Sequence, residues 1–234
     1  VYKLIGDKTG VANMLSNQGA VYFAQGDDAK ALELHLQSLK MAEELNDSLR
    51  ITTSLTNIGG VYQNKKATYE KALEYFIRAY KMSLAINDKH EIGTAAVNLG
   101  EFYFKINNDS TALKYLNESV NAYKGTEDLP YALNYVGRVY TRQGEFERAV
   151  QTHTEAFEIA KKLDARLDMV QSLVGLGQAY YAKEDISQAI NAYKQSLEYG
   201  TPMKAMSEMK DAYQGLTLAY AKTSDFANAY RYQD

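Results

Sequence analysis

The apolar positions of this chain fall into columns that return about every 40 residues. With a glycine as anchor, the copies begin at Gly19, Gly59, Gly100, Gly137 and Gly177, with Thr217 in the sixth place, at spacings of 40, 41, 37, 40 and 40. Three residues after each anchor stands a tyrosine: Tyr22, Tyr62, Tyr103, Tyr140, Tyr180 and Tyr220. Four before it come Leu15, Leu55, Ala96, Leu133, Leu173 and Tyr213, and one before it Gln18, Ile58, Leu99, Val136, Leu176 and Leu216. Offsets −4, −1, 0 and +3 share one stripe of an α-helix. Each copy therefore opens with a helix A.

A second column, Ala31, Ala72, Ala112, Ala149, Ala189 and Ala229, marks a helix B. Four residues before each alanine lies Asp27, Thr68, Asn108, Glu145, Asp185 or Asp225. Five of these six are residue types whose side-chain oxygen accepts from the unpaired amides of a helix start. Asn46, Asn87 and Asp164 are expected as left-handed helix stops. Copy three ends early at Lys124–Gly125, which accounts for its short spacing. Copy five is expected to stop at Gly200, with Thr201 capping the next helix and Pro202 at its first position. The anchor glycine facing the alanine column would let two backbones approach closely, with the tyrosine filling the space beside them.

The columns give one array over residues 1–234. Its repeats cover about 12–46, 52–87, 93–125, 130–164, 170–200 and a truncated 210–234, and residues 1–6 read as the tail of a preceding helix B. Composition agrees with an all-α chain. It is 46% hydrophobic, with two prolines and no β-type alternation. A net charge of −3 gives no basic excess for nucleic acid. The absence of cysteine excludes disulfides and thiolate metal sites. No run of 18 apolar residues is present to span a membrane.

The residues Gly137, Tyr140, Gly144, Phe146, Ala149 and Ala156 sit at the spacing of the tetratricopeptide repeat family, and the chain resembles that family over essentially its whole length. Its copies are longer than the family's common 34 residues and look like the long-repeat subgroup. That subgroup includes kinesin light chains, polarity adaptors and bacterial peptide-sensing regulators. The resemblance implies a right-handed α-solenoid of stacked antiparallel helix pairs, with helix A of each copy lining a concave groove.

With the apolar stripe of helix A assigned, offsets −2, +1 and +5 form the face available to a ligand. Asn17, Asn57 and Asn98 share offset −2, and Asn64 lies at +5. Amide side chains offer both donors and acceptors and would bind the backbone of an extended peptide, as the resemblance also implies. The competing reading is that they tie neighbouring helices together or face water. Arg138 and Arg142 lie one turn apart, with Glu101 and Lys105 as their equivalents one repeat earlier. The cations would hold a carboxylate or phosphate, or else form a solvated salt-bridge ladder. Phe104 and Tyr181, with Phe23, stand at offset +4, either as apolar anchors for a ligand or packed between repeats. The lysine and arginine set of the family's carboxylate clamp is not found.

His35 and His153 share one helix B column, where packing is the expected role, and His90 falls in an inter-repeat turn. No metal-ligand spacing, phosphate loop or activated nucleophile is found, so neither cofactor nor metal is expected. The expectation is a non-catalytic scaffold that binds a protein or peptide in its groove, without nucleic-acid or membrane contact. It would form the ligand-sensing or partner-binding part of a larger bacterial signalling protein, such as a sensor histidine kinase or transcriptional regulator. Alternatives are a free-standing intracellular adaptor and a peptide-pheromone receptor. The segment would be extracytoplasmic if a sensor and cytoplasmic otherwise.

Overall fold

A computed structural model describes residues 7–233. The expected helical tail at residues 1–6 and the end at Asp234 lie outside the described residues. Among the described residues every regular element is helical. The chain divides into two compact units, residues 1–107 and 108–234. The division falls inside the third copy, between its two helices.

The first unit contains α1 (Lys8–Ala24), α2 (Asp28–Glu44), α3 (Ser48–Tyr62), a 3-10 turn at Lys66–Thr68, α4 (Tyr69–Ile86) and α5 (Lys89–Lys105). Helix α1 packs on α2 and α3, and α3 packs on α4 and α5. The second unit contains α6 (Asp109–Ala122), α7 (Leu129–Gln143), α8 (Phe146–Lys162), α9 (Arg166–Ala182), α10 (Ile186–Met203), α11 (Met206–Lys222) and α12 (Phe226–Arg231). There α7 packs on α8 and α9, and α9 packs on α10 and α11. In both units the A helices touch one another in sequence while each carries its own B helix. This is the arrangement of an all-α solenoid.

The turns follow from local chemistry. Asp27, Asn108, Asp185 and Asp225 each accept from the backbone amide three residues on, at 3.0, 3.2, 3.3 and 3.2 Å. Asp7, Asp47 and Asp88 do the same at the starts of A helices. Thr68 departs from the expected cap. The extra residue of its turn forms the 3-10 segment, and the hydroxyl donates to the Tyr62 and Lys65 carbonyls instead. Asn46, Asn87 and Asp164 adopt φ of 51°, 53° and 51°, the left-handed stops expected of them. His90 lies in the first turn of α5 rather than in a loop.

Two expectations are corrected. Helix α10 does not stop at Gly200. It runs through Pro202 to Met203 and ends at a left-handed Lys204. A Cβ on Gly200 would meet Met209 Cγ at 3.2 Å and Val170 at 3.7 Å, so packing holds this residue in the helix. Pro202 sits within the last turn, where a missing N–H breaks the ladder only at its end.

The second correction concerns the anchor glycines, which face aromatic rings rather than the alanine column. A Cβ on Gly19 would lie 2.6 Å from the His35 ring, and one on Gly59 would lie 2.7 Å from Phe76. In the second unit each ring is gripped twice. A Cβ on either Gly137 or Gly175 would lie 2.5 Å from a His153 ring nitrogen, and Gly177 and Gly215 flank Tyr193 in the same way. The glycines make room for a flat side chain from the B helix, so the ring sits against bare backbone. The alanine column is buried alongside, with Ala31, Ala72, Ala112, Ala149 and Ala189 at 0% exposure.

Candidate functional site

The second unit contains a cleft of about 330 Å³ on the layer formed by its A helices. Helix α7 is started by Pro130 in its first turn and stopped by a left-handed Gly144. It presents Tyr131, Asn134, Tyr135 and Arg138 to the cleft, a set at i, i+3, i+4 and i+7 and hence one helix face. Helix α9 presents Gln171, Val174, Gly175 and Gln178 at the same four positions, and α11 adds Ser207, Glu208 and Asp211. His153 reaches the cleft from α8. Because Gly137 and Gly175 carry no side chains, its ring fits between α7 and α9.

The floor is buried and polar. His153 is 1% exposed and Asn134 4%. His153 Nδ1 lies 3.0 Å from Asn134 Oδ1. The imidazole is held neutral, its pKa pushed down to about 3 by burial and, secondarily, by the nearby Arg138 cation. Neither His153 Nε2 nor Asn134 Nδ2 finds a hydrogen-bond partner in the protein. On the walls, the Arg138 guanidinium lies 5.0 Å from the Tyr135 ring centre, and Tyr131 meets Tyr135 edge-on at 5.2 Å. Gln171 Nε2 donates to Glu208 Oε1 at 3.1 Å. Asp211 is exposed. The α11 wall therefore carries negative charge and the α7 wall positive charge.

The residues singled out in the sequence divide by offset. Arg138 lines this cleft together with its equivalents Tyr135, Gly175 and Gln178. The +5 residues instead reach back to the preceding repeat. Asn64 donates to Asp28 at 2.9 Å, Lys105 to the Gln63 carbonyl at 2.8 Å, and Arg142 to Asp109 through its Nε at 3.2 Å. Lys222 donates to Glu184 at 2.8 Å in the same register. Asn57 donates to Ser16 Oγ at 3.2 Å, joining α3 to α1, and Asn98 donates to the Thr94 carbonyl of its own helix at 2.7 Å. Asn17 is exposed on α1 and borders two shallow hollows of the first unit. Glu101 and Phe104 are half-buried on α5. Tyr181 lies under Lys222, 5.8 Å from ring centre to ammonium.

Sequence reasoning missed Asn134, Gln171, Glu208 and Asp211 as site residues, and assigned His153 to packing alone. A signal was present for Asn134. It stands at offset −3, next to the core stripe, where the following copy has Val174. Among the described residues no group of three or more metal-ligating side chains comes together. None of the described helices is long and apolar enough to cross a membrane.

Comparison with known proteins places the fold. BtubC (BKLC) from P. vanneervenii is 20% identical, with a TM-score of 0.72 over 87% of this chain and 85% of its own. A Rap protein complexed with Competence and Sporulation Factor is 14% identical, with a TM-score of 0.78 over 99% of this chain and 64% of its own. A Signal Transduction ATPase with Numerous Domains protein with a tetratricopeptide repeat sensor, from Pyrococcus horikoshii, is 19% identical, with a TM-score of 0.77 over 98% of this chain and 36% of its own. This chain thus spans less than two thirds of the latter two. Among curated proteins none matches. The tetratricopeptide repeat family matches over residues 10–67, 50–125 and 128–199. With its recurring columns and stacked helix pairs, the chain belongs to the tetratricopeptide repeat family.

Proposed function

We propose that this chain is a non-catalytic scaffold that binds an extended peptide or protein segment in the α7–α9–α11 cleft. The observation that carries the reading is the shared register of that cleft. Three successive A helices present equivalent positions to one depression, with a cation on α7 and two carboxylates on α11. Such a surface suits a linear ligand crossing the helices. Charge of opposite sign at its two sides would fix the ligand's direction more than its affinity.

Selection from a random peptide library, followed by fluorescence polarisation with the intact chain, tests this. Selected peptides are expected to bind at least tenfold more weakly to Asp211→Lys and to Gln178→Glu. If they bind both variants as well as the original, the cleft is not the site. If no peptide is enriched, the peptide reading falls.

The wider role proposed is the ligand-sensing or partner-binding part of a larger signalling protein. Support comes from two proteins of the same fold, one complexed with a factor and one named for its tetratricopeptide repeat sensor. Reading the source gene on both sides of this segment tests it. An adjoining kinase, ATPase or DNA-binding module is the expected result. A gene coding for repeats alone would favour the free-standing adaptor.

A further inference from the structure

We propose that the Asn134–His153 pair on the cleft floor is a receptor for an amide group of the ligand, either a backbone peptide unit or an Asn/Gln side chain. The inference rests on the reading that the cleft takes a peptide, and adds the chemistry it reads there.

The two side chains are almost fully buried, bonded to each other at 3.0 Å, and both line the cleft. Each is left with one unused polar atom, Asn134 Nδ2 and His153 Nε2. An unmade hydrogen bond on a buried group costs on the order of 1–3 kcal/mol. Packing does not demand that cost. In the same helix B column Phe76, Leu116 and Tyr193 fill the equivalent place, and Val174 is the next repeat's equivalent of Asn134.

The free atoms are complementary to one kind of group. If Nδ1–H of the neutral imidazole donates to Asn134 Oδ1, Nε2 is an acceptor and Nδ2 a donor. If the asparagine amide is turned, Nε2–H is the donor and the asparagine oxygen the acceptor. In both arrangements one donor and one acceptor remain side by side. An amide supplies a C=O and an N–H in matching order. A carboxylate lacks the donor and an ammonium lacks the acceptor. Both ions would also pay to leave water beside a neutral floor. Arg138 and Asp211 sit on the walls, where charged ligand groups keep their hydration.

The test uses the intact chain labelled with 15N at histidine. Imidazole 15N resonances are followed while propionamide, N-acetylglycine N-methylamide or propionate is titrated in. The His153 Nε2 resonance is expected to move with the amides and not with propionate. Movement with propionamide alone assigns a ligand side chain, and movement with the N-methylamide assigns backbone. No movement with either amide, or equal movement with propionate, overturns the proposal. A second measurement uses library-selected peptides. Asn134→Leu, checked for folding by circular dichroism, is expected to weaken their binding at least tenfold. If Asp211→Lys weakens binding and a folded Asn134→Leu does not, the amide receptor fails while the cleft stands. If neither variant matters, the functional reading itself fails.

Discussion

A Cβ atom on Gly175 would lie 2.5 Å from Nδ1 of His153, so the histidine ring rests directly on the backbone of the following repeat's A helix. The ring cannot retreat, because Gly137 touches it from its own repeat and Asn134 holds its Nδ1. Gly175→Ala is therefore expected to destabilise the chain by about 1–3 kcal/mol, the usual cost of overpacking a filled core. Urea unfolding followed by circular dichroism measures it. A midpoint equal to that of the original would mean the ring is free to move.

The neighbouring glycines of α3 should respond in opposite directions. Gly59 faces the Phe76 ring, whereas a Cβ on Gly60 meets nothing within 4 Å. Gly60→Ala is expected to raise stability by about 0.5–1 kcal/mol, since alanine replaces glycine in an unobstructed helix interior. Gly59→Ala is expected to lower it. Thermal unfolding of the two variants side by side is the measurement, and a shared sign would contradict the clamp.

Acid should weaken the fold through the buried histidines. His153 has an ordinary pKa of 6.5 and is held at about 3 in the folded chain, and His35 is also lowered by burial. Below pH 6.5 the unfolded chain takes up a proton that the folded chain refuses. This contribution is complete above about pH 6.5 and is lost as pH falls toward 3, at up to about 1.4 kcal/mol per pH unit for each group. His153→Phe, which mimics Phe76, should flatten the decline between pH 7 and pH 5. Comparing the two slopes also separates this group from Glu91 and Asp168, whose pKa values burial raises. Equal slopes would mean His153 takes up its proton alike in both states.

Arg142 tests whether the +5 column serves structure or ligand. Its guanidinium pairs with Asp109, their side chains 30% and 22% exposed. Arg142→Gln is expected to cost about 0.5–1 kcal/mol, less at high salt, as for a partly exposed ion pair. Affinity for a library-selected peptide should stay unchanged, and a tenfold loss of binding would return this residue to the ligand site.

The repeat and the all-α fold were legible because helical periodicity and 40-residue recurrence both lie in residue order. Asp27, Asn87 and Asp185 revealed turns by the same local logic. The glycine clamp was half legible. The column from Gly19 to Gly177 was plain, but its partners His35 and His153 come 16 residues after the anchor, beyond any helical period. The candidate site was legible in Arg138 and not in Arg142, although both share a stripe. Arg142 lies in the last turn of α7, where a long side chain reaches the preceding repeat sooner than the cleft. Asn134 and Asp211 were not legible as partners. They come from different repeats, and only the stacking of α7, α9 and α11 brings their faces to one depression.

The double grip on the rings also limits how such an array can be rearranged. His153 belongs to one copy and Gly175 to the next, and Tyr193 and Gly215 stand in the same relation. Each copy in this part of the chain thus carries a ring for its successor and a bare backbone patch for its predecessor. At the position of Gly175 the second and third copies carry Asn57 and Asn98, so neither offers that patch. The copies are consequently not interchangeable parts. Shuffling or duplicating one would bring a side chain against a ring that needs none, and this ties the order of the repeats to their sequences.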